Sequence, residues 1–114
     1  MATDTSNFTA SHRFARIAPR KARLVADMIR GKGIEDALAA LEFSPRRGAW
    51  FIKSVLRSAI ANAEERNADV GRLFVSESRV DEGPTIKRFQ PKDRGRSHPI
   101  MKRTSHIHVS VDVR

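Results

Sequence analysis

The segment from Asp81 to Val113 restricts the possible folds more than any other part of the chain. It begins with a Gly83-Pro84 break, continues through a cation-rich stretch, and ends in a strictly alternating apolar pattern. Residues 82–106 contain seven cations and two acids. Because burying unpaired charge is costly, this stretch cannot form a core of its own. We expect it to protrude from the domain and to be held by a polyanion.

Two strand-like limbs on either side of the turn-rich residues 90–96 predict a β-hairpin. If pairing starts near Thr85, limbs of about seven to ten residues reach roughly 25–30 Å beyond the domain. We call residues 84–104 the arm. A two-stranded ribbon alone is marginal in water, so a flexible loop is the alternative. Pro99 has no backbone N–H, and we expect it to interrupt the pairing on its limb.

Charge is distributed unevenly along the 114 residues, which carry a net charge of +9. Residues 12–33 hold seven cations and one acid, whereas residues 34–81 hold seven cations and eight acids. Two basic blocks therefore flank a nearly neutral middle, which indicates a defined surface facing a polyanion. A narrow basic hairpin suits folded RNA, and the sequence has no DNA-binding motif such as a helix-turn-helix or zinc finger.

Composition excludes several other classes of protein. The chain has no cysteine, which removes disulfides and thiolate metal sites. Residues 1–11 lack the features of a secretory signal, and the longest apolar run, Ala37–Leu41, is too short to span a bilayer. We predict a soluble intracellular protein with a disordered tail at residues 1–11 and a single domain at residues 12–114.

The first half of the domain predicts a short strand followed by helices. Alternation over His12–Ile17 is typical of a strand. A helix then begins at Pro19 and ends near Gly31, with a basic face that is either solvated or bound to RNA. Its apolar stripe consists of Leu24, Val25, Met28 and Ile29. A second helix follows, marked by Ile34, Leu38 and Leu41, and we expect Phe43 to pack against the core.

A third and longest helix is predicted to start at Ser44-Pro45, with serine as the N-cap and proline in the first turn. Its apolar positions repeat at helical spacing: Ala49, Ile52, Leu56, Ala59, Ile60 and Ala63. Trp50 and Phe51 are read as core or rim residues, with a base-stacking platform as the less favoured alternative.

Two further strands complete the domain. The first runs from Leu73 to Val80, and its apolar phase changes between Val75 and Val80, which predicts a bulge or an edge position. The second is the clearest strand of the sequence, because alternate residues from Ile107 to Val113 are apolar.

Four runs of residues closely resemble a known family, the bacterial-type large-ribosomal-subunit proteins of family twenty-two. They are RFARIAPRKARLVADMIRGK (13–32), SAIANAEE (58–65), VDEGPTIKRFQPKDRGR (80–96) and KRTSHIHV (102–109). The resemblance implies an α+β fold in which a three-stranded antiparallel sheet packs on three helices. The order is strand, three helices, two strands, with a long protruding β-hairpin between the last two strands.

The resemblance also implies a function. Members bind several domains of large-subunit rRNA, support subunit assembly, and line the nascent-peptide exit tunnel with the hairpin tip. The expected partners are this rRNA, neighbouring large-subunit proteins and the nascent polypeptide, with no membrane insertion, homo-oligomer, cofactor or metal. The expected location is the cytoplasmic ribosome, and an organellar ribosome stays open as the alternative.

The resemblance assigns two sets of residues. The expected rRNA contacts are Arg13, Arg16, Arg20, Lys21, Arg23, Arg30, Lys32, Lys87, Arg88, Lys92, Arg94, Arg96, Lys102, Arg103, Thr104, Ser105 and His106. The expected tunnel-lining residues are Ile86, Lys87, Arg88, Gln90, Pro91, Lys92, Asp93, Arg94, Gly95 and Arg96. The chain departs from the family pattern at Lys92-Asp93, where arginine and alanine are usual, at Pro99 and at His108.

An enzyme and a free-standing RNA-binding regulator are the two alternative functions. An enzyme would have to use His106 with His108, or Asp81 with Glu82. Two histidines without a third ligand make a weak metal site, and adjacent carboxylates on a strand point to opposite faces. A free-standing RNA-binding regulator would show the same basic surface as a ribosomal protein, so sequence alone does not separate the two.

Overall fold

The computed structural model describes residues 7–92 and 96–114. The elements follow the order strand, three helices, four strands. Their bounds are β1 Phe8–Ala15, α1 Pro19–Ile29, α2 Ile34–Phe43, α3 Arg47–Glu65, β2 Leu73–Glu82, β3 Ile86–Lys92, β4 Arg96–Lys102 and β5 Ser105–Val113. A short 3₁₀ turn, Val70–Arg72, leads into β2. The predicted α+β class and element order are confirmed.

The three-stranded sheet has the order β1-β5-β2, and both pairings are antiparallel. Its central strand is β5, the clearest strand in the sequence. One face of this sheet packs against the helices, and the largest fully buried side chains lie between the two layers: Ile29, Ile52, Leu56, Ile107, Val25, Val75, Val109 and Val111. All six apolar positions predicted for the third helix are buried.

A bulge in β2 explains its change of apolar phase. The pairing with β5 shifts between Val75 and Glu77. The extra residue returns Ser78 and Val80 to the buried face that Val75 occupies before the bulge. The predicted irregularity is therefore confirmed.

The arm forms a second sheet in which β3 pairs with β4 without a register shift, from Ile86 opposite Lys102 to Lys92 opposite Arg96. Pro99 lies opposite Phe89 within this register. The expectation that proline interrupts the pairing is therefore wrong. Seven residues per limb give a reach of about 23 Å at ~3.3 Å per residue, consistent with a molecule 66 Å long and 32 Å wide.

Several local predictions need correction. β1 begins at Phe8, so part of the segment predicted as a tail is strand; residues 1–6 lie outside the described residues. Helix α3 begins at Arg47 with Arg46 as its N-cap, and the Ser44 hydroxyl instead accepts a hydrogen bond from the Arg46 amide at 3.3 Å. Phe43 is 86% exposed and Leu24 is 51% exposed, so neither belongs to the core.

Candidate RNA interface

A groove of about 960 Å³ lies where the start of α1, the start of α3 and the base of the arm meet. Its side chains include six cations, which are Arg16, Lys21, Arg46, Arg47, Lys102 and Arg103. The described lining contains no acid, and none of the six forms an ion pair with another described residue. We call this the basic groove. Unpaired cations held close together attract a polyanion strongly.

Some cations elsewhere on the described surface are paired with acids. Arg30 meets Asp27 at 2.8 Å, and Arg79 meets Asp81 at 2.9 Å. Lys53 donates a hydrogen bond to Glu42; this bond, together with the lysine charge, lowers the pKa of that carboxyl. The six cations of the groove, in contrast, have no acidic partner among the described residues and lie close together.

Two helix starts open onto the groove. Within the described part of the chain, neither the Ala18 N-cap of α1 nor the Arg46 N-cap of α3 accepts a hydrogen bond from a first-turn N–H with its side chain. The first-turn N–H groups and the positive ends of both helix dipoles therefore add to the cations. Gly48 allows the two starts to approach, since a Cβ there would meet Val25 at 3.2 Å and Ile17 at 3.3 Å.

Four of the residues predicted to contact RNA meet in this groove: Arg16, Lys21, Lys102 and Arg103. They come from both basic blocks of the sequence. Arg46 and Arg47 were missed, because they lie in the nearly neutral middle of the chain. A signal for them was present, since two arginines at a helix start oppose the helix dipole, and an anion bound there would offset this unfavourable interaction.

Other predicted contacts on α1 also serve the fold. The Arg23 Nε donates to the Val80 carbonyl at 3.1 Å, and an Arg30 nitrogen donates to the Ser78 carbonyl at 2.6 Å. Both guanidinium groups therefore tie α1 to β2. Arg20 and Lys32 are exposed and keep their side chains available to a ligand.

Thr104 and Ser105, two of the predicted RNA contacts, are buried, and their hydroxyls form hydrogen bonds within the fold. The Thr104 hydroxyl donates to the Pro84 carbonyl at 2.6 Å. The Ser105 hydroxyl donates to the Ile17 carbonyl, also at 2.6 Å. These two hydrogen bonds fix the base of the arm and the loop before α1. They thereby help to position the residues that line the groove.

Replacing Ser105 by alanine is expected to lower the free energy of unfolding by about 1–2 kcal/mol, because the Ile17 carbonyl loses its buried partner. Ser78 provides a matched control: it is equally buried, but its hydroxyl has no partner among the described residues. Ser78→Ala should therefore be neutral or stabilising. Chemical denaturation of both variants checks the difference, and equal losses would show that the Ser105 hydrogen bond contributes nothing.

The arm extends from the edge of the groove. Lys87 is exposed, Ile86 is half-buried, and both lie at the start of β3. Arg88, Gln90, Pro91 and Lys92 continue β3, and Arg96 begins β4. Asp93, Arg94 and Gly95 lie outside the described residues, so what was predicted for the tip stays a prediction.

A bulge in β1 brings Arg13, Phe14 and His106 together. The pairing of β1 with β5 shifts between His12 and Ala15, so two β1 residues lie opposite His106. The Phe14 amide donates to Nδ1 of His106 at 3.1 Å, which leaves Nε2 as the ring's own donor. The guanidinium of Arg13 lies over the Phe14 ring, 5.6 Å from its centroid.

The described residues give no support to the enzyme alternative. Over residues 7–92 and 96–114, no three histidine, aspartate or glutamate side chains gather into a group that could hold a metal ion. His108 instead faces Asp81 at 3.3 Å, beside Arg79. In the same ranges, no helix is both long and apolar enough to cross a membrane.

Comparison with known proteins identifies the family. A sequence model described as "Ribosomal protein L22p/L17e" matches residues 10–112. The chain belongs to this family. The matched region includes the three helices, the residues that line the basic groove and both limbs of the arm. Of the helices and strands, it leaves out only the first residues of β1 and the end of β5.

Curated members of the L22p/L17e family are similar over the full length. The chain is 51% identical to the large ribosomal subunit protein uL22 of Ligilactobacillus salivarius, covering 100% of both chains. It is 53% identical to the protein of the same name from Lacticaseibacillus casei, covering 97% of this chain and 96% of the relative. The uL22 of Lactobacillus helveticus is 54% identical over the same shares. The predicted family is confirmed, and it is a family of structural ribosomal proteins, not of enzymes.

Proposed function

We propose that this chain is a structural constituent of the large ribosomal subunit and binds large-subunit rRNA through the basic groove. The observation that carries this proposal is the meeting of six unpaired cations with two uncapped helix starts. Phosphate oxygens suit both kinds of group, and most of the affinity for RNA comes from neutralised phosphates. The names of the relatives provide the ribosomal context.

The arm has a separate role in this proposal. It forms its own two-stranded sheet, and because such a ribbon alone is marginal in water, contacts with rRNA would stabilise it. We propose that it inserts between rRNA segments and that its tip, around Asp93 to Gly95, lines the nascent-peptide tunnel. Contacts with several rRNA domains along the groove and arm would also support early subunit assembly.

The proposed contacts combine exposed residues of the described chain with arm residues that the family resemblance assigns. The rRNA contacts are Arg13, Arg16, Arg20, Lys21, Lys32, Arg46, Arg47, Lys87, Arg88, Lys92, Arg94, Arg96, Lys102, Arg103 and His106, with the free faces of Arg23 and Arg30 as minor contributors. The tunnel-lining residues are Ile86, Lys87, Arg88, Gln90, Pro91, Lys92, Asp93, Arg94, Gly95 and Arg96. Neighbouring large-subunit proteins and the nascent chain complete the set of partners.

Sucrose-gradient sedimentation of lysate from cells that produce this protein tests the proposal. We expect the protein to sediment with large subunits in a stoichiometric amount and to stay there through a moderate-salt wash. A free-standing RNA-binding regulator would instead be found in light fractions or be washed off. Recovery only in those fractions would overturn the ribosomal assignment.

A further inference from the structure

Phe14 occupies a conformation that bulky residues rarely adopt. Its φ is 59°, in the left-handed region, where a side chain with a Cβ is strained. The ring gains little burial in return, since the residue is 55% exposed. Strain without burial is not explained by packing, and such outliers point to a function.

Contacts with His106 fix the position of the exposed Phe14 ring. The Phe14 and His106 rings meet almost at right angles, with centroids 4.9 Å apart. The amide bond to His106 fixes the backbone at the same point. The bulge that creates this geometry lies two residues before Arg16, which lines the basic groove. The exposed ring therefore continues the surface already proposed to bind rRNA.

We propose that Phe14 is a stacking platform for an unpaired base of large-subunit rRNA. This inference rests on the proposed function. An aromatic ring can stack on any base, because every base has a π-face. RNA-binding proteins commonly present such rings beside cations. Arg13 and Arg16 provide those cations, and His106 provides a donor at Nε2.

A nucleic-acid base fits this site better than an apolar protein side chain. The ring contacts identified in the structure are Arg13 and His106, whereas a protein-binding patch needs several adjoining apolar side chains. The other large exposed apolar side chains of the described chain, Leu24, Phe43 and Trp50, lie on the helices and not on the bulge. The Arg13 guanidinium lies over one face of the ring, so a base would take the opposite face or displace it, and the cation would then be close to the nucleotide's phosphate.

The test measures binding of the full chain to protein-free large-subunit rRNA over a range of salt concentrations. Phe14→Gly should lower the affinity about tenfold at every salt concentration, the size expected for one lost base stack. The slope against salt should not change, because no phosphate contact is removed. Phe14→Tyr should bind like the wild type. Phe43→Ala, which removes another exposed aromatic ring, should also leave binding unchanged.

Thermal unfolding separates stacking from a structural role. Glycine accepts a positive φ without strain, which offsets the lost contact with the His106 ring, so Phe14→Gly should melt close to the wild-type temperature. A lower melting temperature would assign Phe14 to the fold and overturn the proposal. Wild-type affinity in Phe14→Gly would also overturn it, whereas failure of the wild-type chain to bind rRNA would refute the proposed function instead.

Discussion

Replacing Arg46 and Arg47 together by glutamate is expected to weaken binding to large-subunit rRNA about 100-fold. Both guanidinium groups line the basic groove and are unpaired in the described structure. Each charge-assisted hydrogen bond contributes about 1.5–3 kcal/mol, and a factor of 100 corresponds to about 2.8 kcal/mol. The slope of log affinity against log salt should also fall by roughly 1.4–1.8, because each phosphate contact contributes about 0.7–0.9.

The fold should tolerate this double substitution. Arg46 and Arg47 are exposed at the start of α3, where glutamate suits the helix dipole better than arginine does. The main structural loss is the contact of Arg47 with the Phe51 ring, which lies 5.7 Å away and contributes about 0.5–1 kcal/mol at most. Circular dichroism and thermal unfolding should therefore show an intact domain.

Arg57→Glu with Arg66→Glu is the matched control. Both residues are exposed on α3 or at its end, outside the groove, and the change in net charge is the same. Any general effect of charge on RNA binding will appear in both double variants. If the control weakens binding as much as the groove variant, the groove is not the site and only the overall charge matters.

Gly83→Ala is expected to destabilise the protein by about 1–3 kcal/mol, the usual cost of overpacking. A Cβ on Gly83 would lie 2.5 Å from the Thr104 hydroxyl oxygen and 3.3 Å from His106 Cε1. The amide of Gly83 also donates to the Thr104 carbonyl at 2.9 Å, so the two chains cannot separate easily. The substitution should change how the arm leaves the sheet as well as lower stability.

A double-mutant cycle with Thr104→Ala isolates the clash. Thr104→Ala alone should cost about 1 kcal/mol, because the Pro84 carbonyl loses its hydrogen bond. In the double variant the alanine methyl group no longer meets the hydroxyl, so the total loss should be less than the sum by about 1 kcal/mol or more. Urea unfolding of the four proteins measures this coupling. Additive losses would show that the hydroxyl is not the obstacle.

Most of the fold could be predicted from periodicity alone. The alternation ending at Val113, the helical spacing from Ala49 to Ala63, and the phase change after Val75 all correspond to real elements. These patterns are reliable because burial of one face selects for them directly. The hairpin was also predictable, since its charge excluded a place in the core.

The errors have a common physical cause. Periodicity places a residue on a helix face, but it does not show how far the neighbouring element extends over that face. Phe43 and Leu24 lie beyond the covered part of α2 and α1 and are exposed. The same limit applied to Thr104 and Ser105, which look like surface donors in the motif but are covered by the arm base and the loop before α1.

The basic groove could not be predicted from the sequence, because its residues come together only in the folded chain. Its cations come from four separate stretches of sequence, and Arg46 and Arg47 belong to a stretch that is neutral overall. Summing charge over a window hides such residues, because nearby acids such as Glu42 pair with other cations. The dipole at the start of α3 is the local clue that would have identified them.

The central position of β5 has a consequence for the order in which the domain forms. β5 follows all the other elements in the chain, and β1 and β2 pair with it and not with each other. While the polypeptide is being synthesised, the helices can form early, but the sheet that covers their apolar faces must wait for Ser105–Val113. Closure of the β1–β5 pair then joins residues that are 90 to 103 positions apart, from Ala15–Ser105 to Phe8–Val111, and such distant pairing slows folding. The α1 cations proposed to bind rRNA precede β5 in the chain, so the proposed binding could begin before the core is complete.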